Sequence, residues 1–335
     1  MKEALVDIPV KINVWIRSEC QKKQFDVIRE ARPSILFVQS DGGRNETEWD
    51  AIRRNRQMID EGIDWECTVY RLYESENNGL YKMSQKIRSL IWNTVDRCIF
   101  LEDDDIPSVS FFRFCKEMLD KYENDYRIQG ICGFNPLGVW NNASADYFFS
   151  GETNSWGTAF WKRTCPLIYD YDMSFSEDDY VLNLMKEHLG KYTFERAREC
   201  GEKGEIDGHV PGSEFFFGIA RATQNALFIM PKHNMISNYG CGDDAVHSSA
   251  YKVLSKEEQT LFYSKTYEID EVINHPKYVI RDITFEKEAR RIIAVGHPLI
   301  RMKRRVIKIF KTLRYQGVSG LKNKMGRLRR NRKEN

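Results

Sequence analysis

The feature that most constrains this chain is a regular alternation of strand-like and helix-like segments over its first hundred residues. It ends where a short apolar run breaks into four consecutive acids. Val10-Lys11-Ile12-Asn13-Val14-Trp15-Ile16 alternates apolar and polar residues before turning wholly apolar, which predicts a buried strand. Ser18-x-x-Gln21 has the form of a capping box, and Phe25, Ile28 and Ala31 follow at helical spacing until Pro33. Ser34 to Gln39 predicts a second strand, which ends in the loop Ser40-Asp41-Gly42-Gly43-Arg44. A helix from Thr47 to Asp60 and a strand from Cys67 to Leu72 come next. Asn77-Asn78-Gly79-Leu80 then opens a helix with Leu80, Met83, Ile87 and Leu90 on one face. Cys98-Ile99-Phe100-Leu101 is a fully apolar strand running into Glu102-Asp103-Asp104-Asp105. Pro107 is expected to start the following helix, whose apolar face is Phe111, Phe114, Cys115 and Met118.

Such alternation predicts an α/β fold, a mostly parallel sheet covered by helices on both faces. In sheets of this kind the chemistry gathers in loops beyond the carboxyl ends of the strands. Those ends here carry Arg17, Asp41 and Asp103 to Asp105, three polar clusters that outline a pocket. Past Gly130 the pattern is less regular: Ile131 to Phe134 predicts another strand, Asp146 to Trp161 is aromatic and broken by glycines, and glycine-rich Arg198 to Ser213 is expected to be a mobile loop.

A length of 335 residues suits one large domain with an appendage, expected as a domain over 1–255, an extension over 256–298 and a tail over 299–335. No apolar stretch is long enough to cross a membrane, and Met1 to Pro9, with Lys2, Glu3 and Asp7, lacks the apolar run of a signal peptide. The eight cysteines never form a Cys-x-x-Cys pair, which argues against a disulfide framework or zinc site and for a reducing cytoplasm. Charge is unevenly placed. Residues 301–335 hold 14 of the 51 Lys/Arg and one of the 49 Asp/Glu, so the tail carries +13 and the rest of the chain −11. A basic tail on an acidic body implies an anionic partner for the tail itself.

Adjacent aspartates at the end of a buried strand are short, rigid ligands. They suit a Mg²⁺ or Mn²⁺ ion whose remaining ligands are phosphate and water oxygens. An isolated acidic triplet reads first as a solvated turn that caps a helix, and the apolar strand before it and the aromatic helix after it bring the two readings level. Leu101-Glu102-Asp103-Asp104-Asp105-Ile106-Pro107-Ser108-Val109-Ser110-Phe111-Phe112 resembles the Glu-Asp-Asp segment of GT-A (Rossmann-like) glycosyltransferases. It is most similar to the bacterial hemolytic protein HlpA-like group and, more distantly, to the alpha-1,3-mannosyl-glycoprotein N-acetylglucosaminyltransferase family. Three further segments resemble that group in the same order: Asn154-Ser155-Trp156-Gly157-Thr158-Ala159-Phe160-Trp161-Lys162, Pro231-Lys232-His233-Asn234-Met235-Ile236-Ser237-Asn238-Tyr239-Gly240, and Gly242-Asp243-Asp244-Ala245-Val246-His247-Ser248.

The resemblance implies a metal-dependent inverting transfer from a nucleotide-sugar of the UDP class to a glycan or lipid-linked acceptor of surface polysaccharide. It gives Asp104 and His247 to the metal, Asp103 to the donor ribose or sugar, and Glu102 to holding the loop. Asp105 stands where the family has a non-acidic residue, so its role stays open. Arg17 and Asp41 match positions that grip the diphosphate and the base, Asn78 and Gly79 match the loop beside the donor, and Trp156 and Gly157 match the wall against which the sugars pack. Glu214 matches the general base, with Asp178 or Asp179 as the rival within Ser176-Glu177-Asp178-Asp179-Tyr180. A nucleotidyltransferase would share the sheet and metal, and a non-catalytic sugar-binding protein would share the fold.

In the tail, Leu299, Met302, Val306, Ile309, Phe310 and Leu313 recur at spacings of three and four among Arg301, Lys303, Arg304, Arg305, Lys308 and Lys311. That is a basic amphipathic helix of the kind that lies on anionic membranes, placing the protein on the inner face of the cell membrane. Residues Asn323 to Asn335 are expected to be disordered. Nucleic acid is not an expected partner, because the acidic body offers no continuing basic surface.

Overall fold

The computed structural model describes residues 1–189, 191–203, 211–241 and 251–331. Strands and helices alternate as β1 (Val6–Asn13), α1 (Ser18–Ala31), β2 (Pro33–Ser40), α2 (Glu46–Gly62), β3 (Thr68–Tyr73), α3 (Leu80–Thr94) and β4 (Arg97–Leu101). The four strands are parallel in the order β3-β2-β1-β4. Along β1 the side chains alternate between faces, so Val10 and Ile12 are fully buried while Lys11 and Asn13 turn the other way. Lys11 is in register with Phe37 of β2 and Phe100 of β4.

Local signals fix the end of α1 but not its start. Arg32 adopts a left-handed conformation (φ 49°), its N–H bonds the Ile28 carbonyl, and Pro33 opens the next strand. The capping box expected at Ser18 does not form, because Arg17 takes the cap position without a side-chain bond. Gln21 is instead fully buried, accepting the Trp15 N–H at 3.4 Å and donating to Gln24 Oε1 at 3.1 Å. Tertiary packing took the residue that local capping needed.

Pro107 likewise does not start a helix. It closes the short strand β5 (Asp105–Pro107), and α4 (Ser110–Lys121) begins beyond it. The first N–H groups of α4 are satisfied by the Glu268 carboxylate, which accepts from Val109 at 3.1 Å and Ser110 at 2.7 Å. A carboxylate there also suits the positive end of the helix dipole. A cap delivered from so far along the chain leaves no local signature. Phe111, Phe112, Phe114, Cys115, Met118 and Leu119 are all fully buried on α4, and each large side chain contributes about 1.5–3 kcal/mol. This face anchors the acidic loop from behind.

The remaining elements are β6 (Ile128–Cys132), β7 (Tyr147–Ser150), β8 (Thr158–Trp161), α5 (Cys165–Ile168), α6 (Asp179–Leu189), α7 (Lys191–Lys203), α8 (Ser213–Gln224), β9 (Leu227–Pro231), β10 (Ile236–Asn238), α9 (Lys256–Gln259), α10 (Ile283–Ile293) and α11 (Pro298–Asn331). The eight-stranded sheet has the order β3-β2-β1-β4-β8-β6-β9-β7, and only β7 and β8 run against the other strands. A separate ribbon pairs β10 with β5, placing Asn238 opposite Asp105. The chain thus adopts the expected α/β class: a mostly parallel sheet, flanking helices and a helical tail.

Two expectations need correction. Arg198 to Lys203, expected in a mobile loop, belong to α7, where Ala197 and Cys200 are fully buried at helical spacing. The disorder expected from Asn323 does not begin there, since α11 runs to Asn331 past one non-helical residue, Gly317. The packing of α11 is unusual. Its inward face is polar: Arg304 Nη2 donates to the Ile292 carbonyl at 2.7 Å, Lys311 donates to the Leu254 carbonyl, and Thr312 is buried. Its apolar stripe points outward, with Leu299, Met302, Phe310 and Val318 59–74% exposed.

Candidate functional site

A cavity of about 770 Å³ opens where β1, β2 and β4 end, with further walls from α3 and α8. Arg17, Asp41, Gly79, Asp103, Asp104, Trp156 and Glu214 all line it. Asn78 and Gly157 do not, and His247 lies outside the described residues.

Four consecutive acids meet four different surroundings. Asp105 is fully buried: Oδ2 accepts the N–H groups of Glu102 at 3.1 Å and Gly157 at 3.0 Å, and Oδ1 accepts from Asn238 Nδ2 at 3.3 Å. Burial, then the charges of Asp104 and Glu102, push its carboxyl well above the ordinary carboxylate range. Its work is to clamp the acidic loop to the Gly157 turn and to β10. Asp104 faces the cavity, where Oδ2 accepts from Arg17 Nη1 at 2.6 Å and Oδ1 from Asn238 Nδ2 at 2.9 Å. A Cβ on Gly240 would lie 2.1 Å from Asp104 Oδ2, so glycine is needed there for close approach.

Asp103 Oδ1 lies 3.4 Å from Arg17 Nη1, whereas its buried Oδ2 has no partner among the described residues. Burial raises this carboxyl to about 6, with Arg17 opposing and Asp104 adding to the rise. Glu102 opens onto the cavity and makes no side-chain hydrogen bond. Burial among the surrounding side chains, followed by the charge of Asp104, pushes its carboxyl up to about 7, while the Lys11 ammonium opposes the shift. Behind the loop, Gln24 donates to the carbonyls of Glu102 and, at 2.7 Å, Asp105.

These residues fit a divalent cation of the Mg²⁺ or Mn²⁺ type. Two carboxylates are an ordinary protein contribution to an octahedron completed by phosphate and water, and the orphaned Asp103 Oδ2 is an oxygen in need of a cation or donor. No cluster of three or more His, Cys, Asp and Glu side chains forms a metal cage among the described residues.

Asp41 uses its carboxylate on the loop around it. Oδ1 accepts the N–H groups of Gly42 and Asn78, both at 2.9 Å, and Oδ2 accepts that of Gly79 at 2.8 Å. This joins the end of β2 to the start of α3, where Gly79 (φ 80°) leaves open space beside its backbone. The Asn78 N–H is spent on this joint, and Asn77 lines the cavity in its place. At the paired ends of β1 and β2, Asn13 Oδ1 and Gln39 Oε1 are buried and unpartnered among the described residues. Both line the cavity.

On the opposite wall, Glu214 is exposed in the first turn of α8, and its Oε1 accepts the Ser155 hydroxyl. The rival carboxylates are elsewhere. Asp178 caps α6, accepting the N–H groups of Tyr180 at 2.8 Å and Val181 at 3.3 Å, and neither it nor Asp179 lines the cavity. The Trp156 ring stands edge-on to Phe134 at 4.6 Å between centroids. Gly157 (φ 59°) holds a turn in which a Cβ would lie 2.3 Å from Ile236. Sequence reasoning did not single out Asn238, Gly240, Gln24 or Lys11. Two of them sit inside the Pro231-to-Gly240 segment, and Lys11 was legible only as a polar position of an alternating strand.

No family model matches this chain, and no curated protein does. The solved structures similar to it are distant. A UDP-glucose pyrophosphorylase complexed with UDP-glucose is 10% identical, with 68% of this chain and 91% of that one covered at a TM-score of 0.31. TarS 1-349 of S. aureus is 9% identical over 70% of this chain and 59% of that one, with a TM-score of 0.34. GalNAc-T7 with UDP, GalNAc and Mn2+ is 11% identical over 86% of this chain and 54% of that one, with a TM-score of 0.42.

Proposed function

We propose that this chain is a metal-dependent, inverting GT-A glycosyltransferase, using a nucleotide-sugar of the UDP class and a glycan or lipid-linked acceptor of surface polysaccharide. One observation carries the reading. Arg17, Asp103, Asp104 and Glu214 come from three separate regions of the chain and line one cavity beyond the strand ends. In this reading Asn13 and Gln39 offer free carbonyl oxygens to the N–H of a base, Arg17 grips the diphosphate, and Asp103 and Asp104 hold Mn²⁺ or Mg²⁺. The bound cation would neutralise the diphosphate as it leaves. Glu214, oriented by Ser155, takes the proton of the acceptor hydroxyl as that hydroxyl attacks the anomeric carbon. Asp41, Asn78 and Gly157 act one layer back, by setting the loops. His247 belongs to the proposal on resemblance alone.

The outward apolar stripe of α11, flanked by exposed Lys303, Arg305 and Arg314, supports attachment to an anionic membrane surface. No helix among the described residues is long and apolar enough to cross a membrane. The proposed division is a catalytic unit over 1–255, an extension over 256–298 and a membrane-binding tail over 299–335. A nucleotidyltransferase is disfavoured because the loop after β1 contains no glycine to cradle phosphates.

The test is thermal stabilisation by UDP and by UDP-sugars with and without Mn²⁺, followed by donor hydrolysis, with Asp104→Ala as control. Metal-dependent stabilisation and turnover, both lost in the variant, are expected. Stabilisation without turnover would favour a sugar-binding protein, and neither would sink the proposal.

A further inference from the structure

We infer that the glycosyl group accepted by this site carries a carboxylate, as in a hexuronic acid, seated between Lys11 and Arg88 at the inner end of the cavity. This rests on the nucleotide-sugar reading above and names the class of sugar within it.

Lys11 sits in the middle of β1 with its side chain only 8% exposed, yet it lines the cavity. Its ammonium has no hydrogen bond or ion pair among the described residues. A buried ammonium with no hydrogen-bonded partner is costly to hold, and desolvation brings Lys11 down to about 8 although the charge of Glu102 opposes the fall. Arg88 reaches the same end from α3. Its guanidinium lies 3.8 Å from the centroid of the Tyr169 ring and donates to the Tyr171 hydroxyl, which fixes its plane. Glu102 lies within electrostatic reach of Lys11 without a hydrogen bond to it, and Asp103 is engaged by Arg17. Neither Lys11 nor Arg88 is in a salt bridge with a carboxylate among the described residues, so a ligand carboxylate could bond both.

The depth fits a sugar. Asn13 marks the mouth of the cavity, and Lys11 lies two residues further in, about 7 Å along the strand. Its cross-strand neighbour Phe100 precedes Glu102 by two residues, next to the aspartates proposed to hold the diphosphate through a metal. A pyranose attached to that diphosphate extends past Glu102 toward Lys11, with the aromatic ring of Tyr169 alongside. A neutral sugar would leave the ammonium without a charge-assisted bond, whereas a carboxylate supplies one.

The experiment is calorimetric titration of the full chain with Mn²⁺ and, in turn, UDP, UDP-glucose, UDP-N-acetylglucosamine and UDP-glucuronate, repeated with Lys11→Met. The uronate is expected to bind about tenfold or more tighter than either neutral donor. Lys11→Met, checked for folding by its melting curve, should erase that advantage. If UDP binds but neutral and uronate donors bind alike, or if the variant keeps the preference, the inference fails while the nucleotide-sugar reading stands. If UDP itself does not bind, that reading fails and takes the inference with it.

Discussion

Replacing Lys11 by methionine should make the free protein more stable, and the size of the gain follows from the surroundings of the ammonium. Burial lowers Lys11 from an ordinary value of 10.5 to about 8. At 1.36 kcal/mol per pH unit, the folded state carries a penalty of about 3 kcal/mol while the group is charged. Methionine is similar in length, bears no charge and removes this cost. The sign with pH is definite. Below pH 8 both folded and unfolded chains hold the proton, so the penalty is present in full. Between about 8 and 10.5 the folded chain releases the proton while the unfolded chain keeps it, so unfolding free energy rises with pH. Urea unfolding of both proteins at pH ~7 and ~10 should show the variant ahead by about 3 kcal/mol at the lower pH, with the gap largely closed at the higher. Other groups titrate in this range too and cancel in the difference, except Glu102, which loses its opposing cation in the variant. A variant no more stable than the parent at neutral pH would show that Glu102 and Asp103 already compensate the ammonium. The cost reasoning would then be wrong. Alongside the donor titrations, the same substitution would show stability and function opposed at one position, as at other sites that bury a charge for a ligand.

Gly240→Ala forces a methyl into the space of Asp104 Oδ2, and is expected to lower metal affinity about 10–100-fold, as losses in the supporting shell do, measured by Mn²⁺ titration. Glu214→Gln should reduce turnover about 10²–10⁴-fold with donor affinity unchanged; a loss of donor binding instead would remove it as the base. Asp105→Asn sets an amide N–H against a donor in either orientation, the Glu102 and Gly157 N–H groups or Asn238 Nδ2, at roughly 1–3 kcal/mol in urea unfolding; little change would mean the clamp is slack. Phe310→Ser, on an exposed face, should leave stability within about 0.5 kcal/mol while weakening sedimentation with anionic vesicles. Unchanged vesicle binding would rule out α11 as the contact.

The alternation of the first hundred residues determined the α/β class, because residue patterns of period two and period 3.6 record which faces are buried. The apolar run ending at Leu101 determined that the acids would stand at a strand end, and the tail's spacing determined an amphipathic basic helix. Sequence could not divide labour among the four acids. Consecutive residues on a turn point in different directions, and only β10, the Gly157 turn and Arg17, all distant in sequence, make Asp105 a clamp and leave Asp104 facing the cavity. The same reason hid the Glu268 cap on α4, the tertiary use of Gln21 and the outward stripe of α11. Each depends on which remote group arrives to satisfy a charge or N–H, and such arrivals leave no local pattern. Lys11 shows both halves. Its polar position in an alternating strand was written in the sequence, but its lack of a hydrogen-bonded partner was decided by what the folded chain puts around it.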